Sequence, residues 1–369
     1  MRNFFLYFKG FDWIIFMVVL LLICFSLATI YSITLAREDF GLLNFKKQVL
    51  FAIVGIILLF LAAFTDHRLI GASSYLLYFA TIILLLGVLI FSESIRGMKG
   101  WLTLGSLSFQ PVELAKIVLV IFLAKYFSNP EREGHEGRYI LISTAFTLPL
   151  VLLVCLQPDF GSALILVAIW LGMLTFIGVK RAYFLFTIFI IAVILIASWF
   201  FVFEDYQRTR IMTFFEPRLD PLGRGYNITQ SVIAIGSGQV FGRGLGFGPQ
   251  SQLKFLPEAQ ADFIFAVFAE ELGFIGVFLI LSFFGVLFYR IVVSARRVRD
   301  DFGLFLILGF LIFFVLQVFV NIGMNMALLP VAGISLPFVS CGGSSLITSL
   351  IAIGIIESVI LHYNRYPTV

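Results

Sequence analysis

Charge is the scarcest commodity in this chain: Asp, Glu, Lys and Arg make up 12% of 369 residues, where a soluble domain carries about a quarter. Hydrophobic residues fill 61% of it, and mean hydropathy is +1.07. A soluble globular protein is excluded, because so few polar groups cannot cover a water-facing surface. Cysteine is limited to Cys24, Cys155 and Cys341. The odd number, with each residue in or beside an apolar run, fits neither a disulfide framework nor a zinc site, and buried free thiols are expected. Histidine is limited to His67, His135 and His362, all on the predicted inner side. Histidine catalysis and a His-ligated metal are therefore not expected on the outer face, where chemistry must use carboxylates, amides, hydroxyls, Lys and Arg.

What is abundant is long apolar runs. Ten are near the length of roughly 17 to 25 residues that crosses the hydrocarbon core: about 11–35, 47–64, 75–91, 111–127, 138–156, 160–179, 182–203, 263–289, 302–325 and 342–362. The first is too long for a cleaved signal and lacks an A-x-A site, so it is read as a retained span. With the N-terminus inside, inner segments collect most of the cations, among them Arg68, Lys125, Lys180, Arg181 and the cluster from Arg290 to Arg299. Short outer loops hold Arg37, Lys46, Lys47, Arg96 and Lys99. That asymmetry sets both termini inside. It also accounts for the net charge of +4 without a nucleic-acid partner, since Arg297 and Arg299 are followed directly by Asp300 and Asp301. The expected fold is an all-α polytopic membrane protein, one domain over 1–369, with ten transmembrane helices.

Eight of the nine connections read as short and one, 204–261, as long, and loops of that length are usually functional or disordered. This one carries apolar residues such as Ile211, Phe214 and Phe241. Ile228, Val232 and Ile235 fall on one face of a short helix, on the membrane surface or dipping back into the protein. The following GSGQVFGRGLGFGP, from Gly236, lacks the spacing of a nucleotide loop. It is either a flexible hinge or a run of backbone N–H groups facing a phosphate.

Carboxylates at the membrane edge are the informative residues, because ionisable groups in hydrocarbon are costly and mark cavities or partners. In QSQLKFLPEAQADFIFAVFAEELGFIG, from Gln250, Asp262 stands at the outer boundary of the eighth run, near the positive end of a helix dipole. Glu270 and Glu271 follow about two turns on, and as neighbours only one of them is expected to face a cavity. Glu113 and Lys116 lie three apart on one face of the fourth run, close enough to pair, either as a helix-holding ion pair or lining a polar cavity. Asp159, after Pro158, reads first as a turn cap.

Five stretches in order then carry a resemblance: GWLTLGSLSFQPVELAK from Gly100, QPDFGSA from Gln157, DPLGRGYNITQSVIAIGSG from Asp220, LPEAQADFIFAVFAEELG from Leu256 and LPFVSCGGSSL from Leu336. The chain resembles the SEDS proteins of shape, elongation, division and sporulation (RodA, FtsW, SpoVE) over essentially all ten spans. QSQLKFLPE and NIGMNMALLP look most like RodA. The resemblance implies a peptidoglycan glycosyltransferase of the bacterial cytoplasmic membrane that polymerises lipid II on the outer face during elongation and shape maintenance. It also implies a class B penicillin-binding protein as partner, docked near the eighth and ninth helices, whose phenylalanines include Phe278, Phe284, Phe305, Phe310, Phe313, Phe314 and Phe319. Asp262 matches the family's essential acidic residue. Gln260 and Ala261 stand where the family commonly has His-Thr, Gly100 where it has Arg, Val112 where it has Ser, and Cys341 where it has Tyr.

Glycosyl transfer from a lipid pyrophosphate needs a base for the acceptor hydroxyl and cationic or N–H groups near the leaving pyrophosphate. Asp262 is the candidate base of an inverting displacement. Trp101, Gln110, Glu113, Lys116, Asp159 and Arg210 are the candidate substrate-binding residues, and a divalent cation, magnesium or manganese, is compatible with the chemistry. Two other readings use the same features: a lipid-linked sugar flippase, weakened by the lack of duplicated halves, and a non-catalytic scaffold for a partner enzyme.

Overall fold

The computed structural model describes the chain except residues 1–9, 36–41, 93–99, 105–106, 130–135, 202–204, 221–222, 254 and 366–369. Among the described residues, long helices lie on each of the apolar runs: α1 (Trp13–Leu35), α2 (Leu43–Phe64), α4 (Ser74–Phe91), α5 (Pro111–Phe127), α6 (Glu136–Leu156), α7 (Phe160–Phe176), α8 (Arg181–Phe201), α12 (Ile264–Ala295), α13 (Asp301–Asn325) and α14 (Gly343–Arg365). Eight of them are long and apolar enough to cross a membrane by length and composition, and α7 is a shorter apolar helix. A short α3 (His67–Ala72) follows α2, and the long segment after α8 folds into α9 (Asp205–Phe215), α10 (Arg224–Ser237) and α11 (Pro249–Gln252).

Local chemistry sets several helix starts. α5 begins with Pro111 at its first turn, Glu113 beside it and Lys125 in its last turn, the order the helix dipole favours. The Asp66, Asp159 and Asp300 side chains cap α3, α7 and α13 by accepting from Arg68, Ser162 and Gly303 N–H groups. α5 is buried along nearly its whole length. α14 is also central, with 89% of its apolar window buried, whereas α8 is peripheral at 6%. α14 lies against α2 at backbone distance: a Cβ on Gly354 would meet Leu59 O at 2.4 Å, the small-residue contact by which membrane helices approach closely.

The structure departs from the sequence reading in several places. The connection between α4 and α5 is long and contains an antiparallel hairpin, β1 (Leu102–Leu104) with β2 (Leu107–Phe109), in register Leu102 to Phe109. The connection between α13 and α14 is also long, and it turns inward to bury Ile334, Leu336, Phe338 and Val339. In α10, which packs on α12, the buried positions are Ile228, Ser231 and Ala234, three apart, while Val232 is exposed and Ile235 half-buried. Of the phenylalanines expected to face lipid or a partner, Phe284, Phe305, Phe310, Phe313 and Phe314 are core residues, and only Phe278 and Phe319 of those named are strongly exposed. All three cysteines are free thiols, but none is fully buried as expected: Cys24 is exposed and Cys155 and Cys341 are half-buried.

Candidate active site

α12 is not one helix. Gly273 sits at φ 66°, ψ −162°, a conformation essentially reserved for glycine, and it divides the element into 264–272 and 274–295. A break strands backbone groups, which in an apolar setting must find partners. The glycine-rich turn supplies them. Phe274 and Ile275 N–H donate to Gln239 and Val240 carbonyls at 2.8 and 3.2 Å, and Arg243 and Gly244 N–H donate to Glu270 and Glu271 carbonyls, both at 2.9 Å. The chains cross so closely that a Cβ on Gly238 would lie 1.7 Å from Ala269 O.

The two glutamates complete this stitch, and both are engaged, contrary to the expectation for adjacent residues. Glu270 accepts from Gln250 and Ser251 N–H at 2.8 and 3.0 Å. Glu271 accepts from Ser32 Oγ at 2.7 Å and from Gly246 N–H and Gln252 Nε2, each at 3.2 Å. The turn's N–H groups are thus committed to α12, which leaves neither a hinge nor a phosphate cradle at those atoms.

Asp262 precedes the first half of α12, half-buried, in a turn where Ala261, Asp262 and Phe263 N–H all point at Glu258 O, at 3.0, 3.2 and 3.4 Å. Its carbonyl accepts from Asn321 Nδ2 at 3.1 Å and Asn325 Nδ2 at 3.0 Å. Asn325 Oδ1 takes Ala266 N–H at 3.2 Å, and Ser340 Oγ donates to Ala261 O at 2.6 Å. Gln260 donates to Thr34 Oγ1, accepts from Asn44 and receives the Cys341 N–H on its carbonyl, so it ties α1 and α2 to the turn. Sequence reasoning missed these clamps. The i, i+4 repeat of Asn321 and Asn325 in an apolar helix was the available signal.

A second cluster forms at the starts of α5 and α7. Lys116 Nζ lies 2.8 Å from Glu113 Oε1; Lys116 is fully buried and Glu113 5% exposed. Gln110 donates its backbone N–H to Ser344 Oγ at 2.9 Å and its Nε2 to Asp159 Oδ2 at 3.4 Å, while Asp159 Oδ1 caps α7 by accepting from Ser162 N–H at 3.0 Å. Burial holds the Asp159 carboxyl above its ordinary value, with the Ser162 N–H and the Lys116 charge acting against it. Trp101 is half-buried at the start of the hairpin, beside Gly100, whose added Cβ would come 3.9 Å from Gln157 Oε1. Arg210 lies in α9, and its side chain is outside the described residues.

The loop between α13 and α14 joins the two clusters. A Cβ on Gly333 would be 3.9 Å from Asp262 Oδ2, and one on Gly161 would be 2.1 Å from the carbonyl of the preceding Ala332. Covalent lengths then bring the Asp262 carboxylate to within the order of 10 Å of the start of α7. Phe338, at φ 65°, holds a strained backbone in this loop, as residues beside functional sites do. Among the described residues, no three His, Cys, Asp or Glu side chains at this end of the bundle bring ligand atoms within 4.8 Å of one another.

Residues 12–365 match the FtsW/RodA/SpoVE cell cycle protein family. The chain is 36% identical to peptidoglycan glycosyltransferase MrdB of Escherichia coli K12, over 94% of this chain and 92% of that protein. It is also 36% identical to stage V sporulation protein E of Bacillus subtilis, over 96% and 98%. Among solved structures it is similar to a chain of a peptidoglycan synthase complex that coordinates polymerization and crosslinking, with a TM-score of 0.80 at 30% identity over 96% and 98% of the two chains. The rod shape determining protein RodA of Thermus thermophilus matches with a TM-score of 0.70 at 28% identity over the same shares.

Proposed function

The chain belongs to the FtsW/RodA/SpoVE family of cell cycle proteins, and from that premise we propose that it is a peptidoglycan glycosyltransferase that polymerises lipid II into glycan strands for cell-wall elongation. The observation that carries the reading is the placement of Asp262. This half-buried carboxylate-bearing residue has its carbonyl held by Asn321 and Asn325, with Ser340 on the preceding Ala261 carbonyl, across the Gly333 loop from the start of α7, where Asp159 meets Gln110.

In the proposed reaction the Asp262 carboxylate takes the proton from the acceptor sugar hydroxyl. The oxygen attacks the anomeric carbon of the donor as the bond to the lipid pyrophosphate breaks, with inversion. The proton ends on Asp262 and the pyrophosphate leaves with the bonding pair. Gln110, Trp101 and Arg210 contact sugar and pyrophosphate. Lys116 and Glu113, being buried, act beneath them as positioning residues that fix Asp159 and Gln110. No step requires a second nucleophilic carboxylate. Ten membrane crossings, both termini inside and 204–261 over the outer face complete this reading. The bond between Asp12 N–H and Glu357 Oε2 at 3.0 Å supports it, because it brings the first and last helices together at one end. A class B penicillin-binding protein docks on the exposed strip of α12 and α13.

The test is polymerisation of lipid II by purified protein. Asp262→Asn keeps the shape but cannot accept a proton, and the rate should fall by about 10² to 10⁴. A variant that polymerises at the normal rate would sink the base assignment. If wild-type protein moves lipid II across vesicles without polymerising it, the flippase reading replaces this one.

A further inference from the structure

Two of the three histidines meet at the opposite end of the bundle from Asp262. His67 opens α3 and His362 lies in the last turn of α14, with ring centroids 5.2 Å apart. Asp66 Oδ1 lies 3.5 Å from His67 Nδ1, and Asp300 Oδ2 lies 3.6 Å from Nε2 on the other side of the ring. One potential ligand atom from each of Asp66, His67 and His362 lies within 4.8 Å of the others. His67 is 2% exposed and stacks on Phe302 at 6.1 Å, and its Nδ1 makes no hydrogen bond. A buried nitrogen without a partner is costly, and the Asp66 oxygen beside it is too distant or misaligned to serve.

We infer that Asp66, His67 and His362 form a binding site for a divalent transition-metal ion of the zinc class, with Asp300 orienting the His67 ring from behind. Two imidazoles and one carboxylate are a borderline-soft set that suits zinc, whereas magnesium and calcium prefer oxygen throughout. Ligands about 2.0 to 2.2 Å from zinc are separated by roughly 3.5 Å in a tetrahedron, so side-chain rotation of about 1 Å closes the cluster around an ion. The Asp66 side chain is 40% exposed, and its Oδ2 is not used by the Oδ1 cap on Arg68 N–H. A carboxylate opposite the ligating nitrogen, as Asp300 is, fixes tautomer and ring orientation in such sites. The ion would bind the α2–α3 junction to the end of α14, where Ser358 Oγ already donates to Thr65 O.

Metal-stripped full-length protein in detergent, purified without a histidine tag, is titrated with zinc against a chromophoric chelator. One zinc per chain is expected, with a raised apparent melting temperature. His362→Ala, at a half-buried position near the helix end, and His67→Asn should each weaken binding at least tenfold, Asp300→Asn by about 10- to 100-fold, and His135→Ala not at all. His362→Ala guards against a folding defect, scored by unchanged helical circular dichroism without metal. Substoichiometric zinc, binding unaltered in His362→Ala, or binding lost in His135→Ala instead would overturn the site.

Discussion

Lys116 has no exposed surface, and its ammonium sits 2.8 Å from Glu113. Removing one member of a buried pair strands the other. Lys116→Met should therefore cost about 3 to 5 kcal/mol of stability, and Glu113→Gln/Lys116→Met should recover most of it. If the pair positions Asp159 and Gln110, the double variant melts like wild type yet polymerises lipid II slowly. Normal activity in a stable double variant would reduce the pair to a structural role. Cys341, in the loop beside Gln260, has its thiol pushed up to about 11 by burial. In a Cys24→Ala/Cys155→Ala background its alkylation rate should keep rising up to that pH, and a plateau below pH 9 would contradict it. Of the residues named from sequence, Asp262 lies beside Gly333 and Asp159 lies two residues before the Gly161 contact with the same loop, Gln110 bonds Asp159, and Glu113 pairs with Lys116. The partners of the Asp262 turn, Asn321, Asn325 and Ser340, were legible only as polar residues in apolar surroundings, because an amide in an apolar helix does not announce which carbonyl it will meet.

The break in α12 is the element on which the candidate site depends, since Asp262 leads its first half and the glycine turn closes its gap. Gly273→Ala should lose at least about 1 to 3 kcal/mol from backbone strain alone, with more from the clash of its Cβ at 2.3 Å from Gly242 N. Gly285→Ala, whose Cβ would meet nothing within 4 Å, is the matched control, and equal melting temperatures for the two would refute the stitch. At the start of α7, the folded-state value of Asp159 is raised, so folding favours its protonated form. The associated stability is present below the ordinary carboxylate value of 3.8 and is lost as pH rises through the folded value. Asp159→Asn keeps an N-cap side chain and should melt progressively later than wild type as pH increases. A difference independent of pH would count against this. Helix ranges were readable because hydrophobic length is a local property. The break, the hairpin 102–109 and the inward loop were not, since each is fixed by what crosses it.

At the scale of the whole molecule, the partner surface proposed for α12 and α13 shrinks to what the fold leaves outside. Phe278 and Phe319 are 63% and 65% exposed, and Phe274 joins them at 65%. Substituting these three with Ala should abolish co-purification with a class B penicillin-binding protein while leaving melting nearly unchanged. Substituting Phe310 or Phe313 should unfold the protein instead, at about 3 to 5 kcal/mol each. Retained co-purification in the triple variant would move the interface elsewhere. By itself the sequence determined the membrane class, the helix ranges, the family resemblance and the candidate base. These depend on composition, run length and residues contiguous along the chain. Only the tertiary structure decided which phenylalanines are core, that both Glu270 and Glu271 hold the glycine turn, and that His67 and His362 meet. Those outcomes depend on which face of a helix a neighbour covers, and on contacts between residues hundreds of positions apart, which no local pattern encodes.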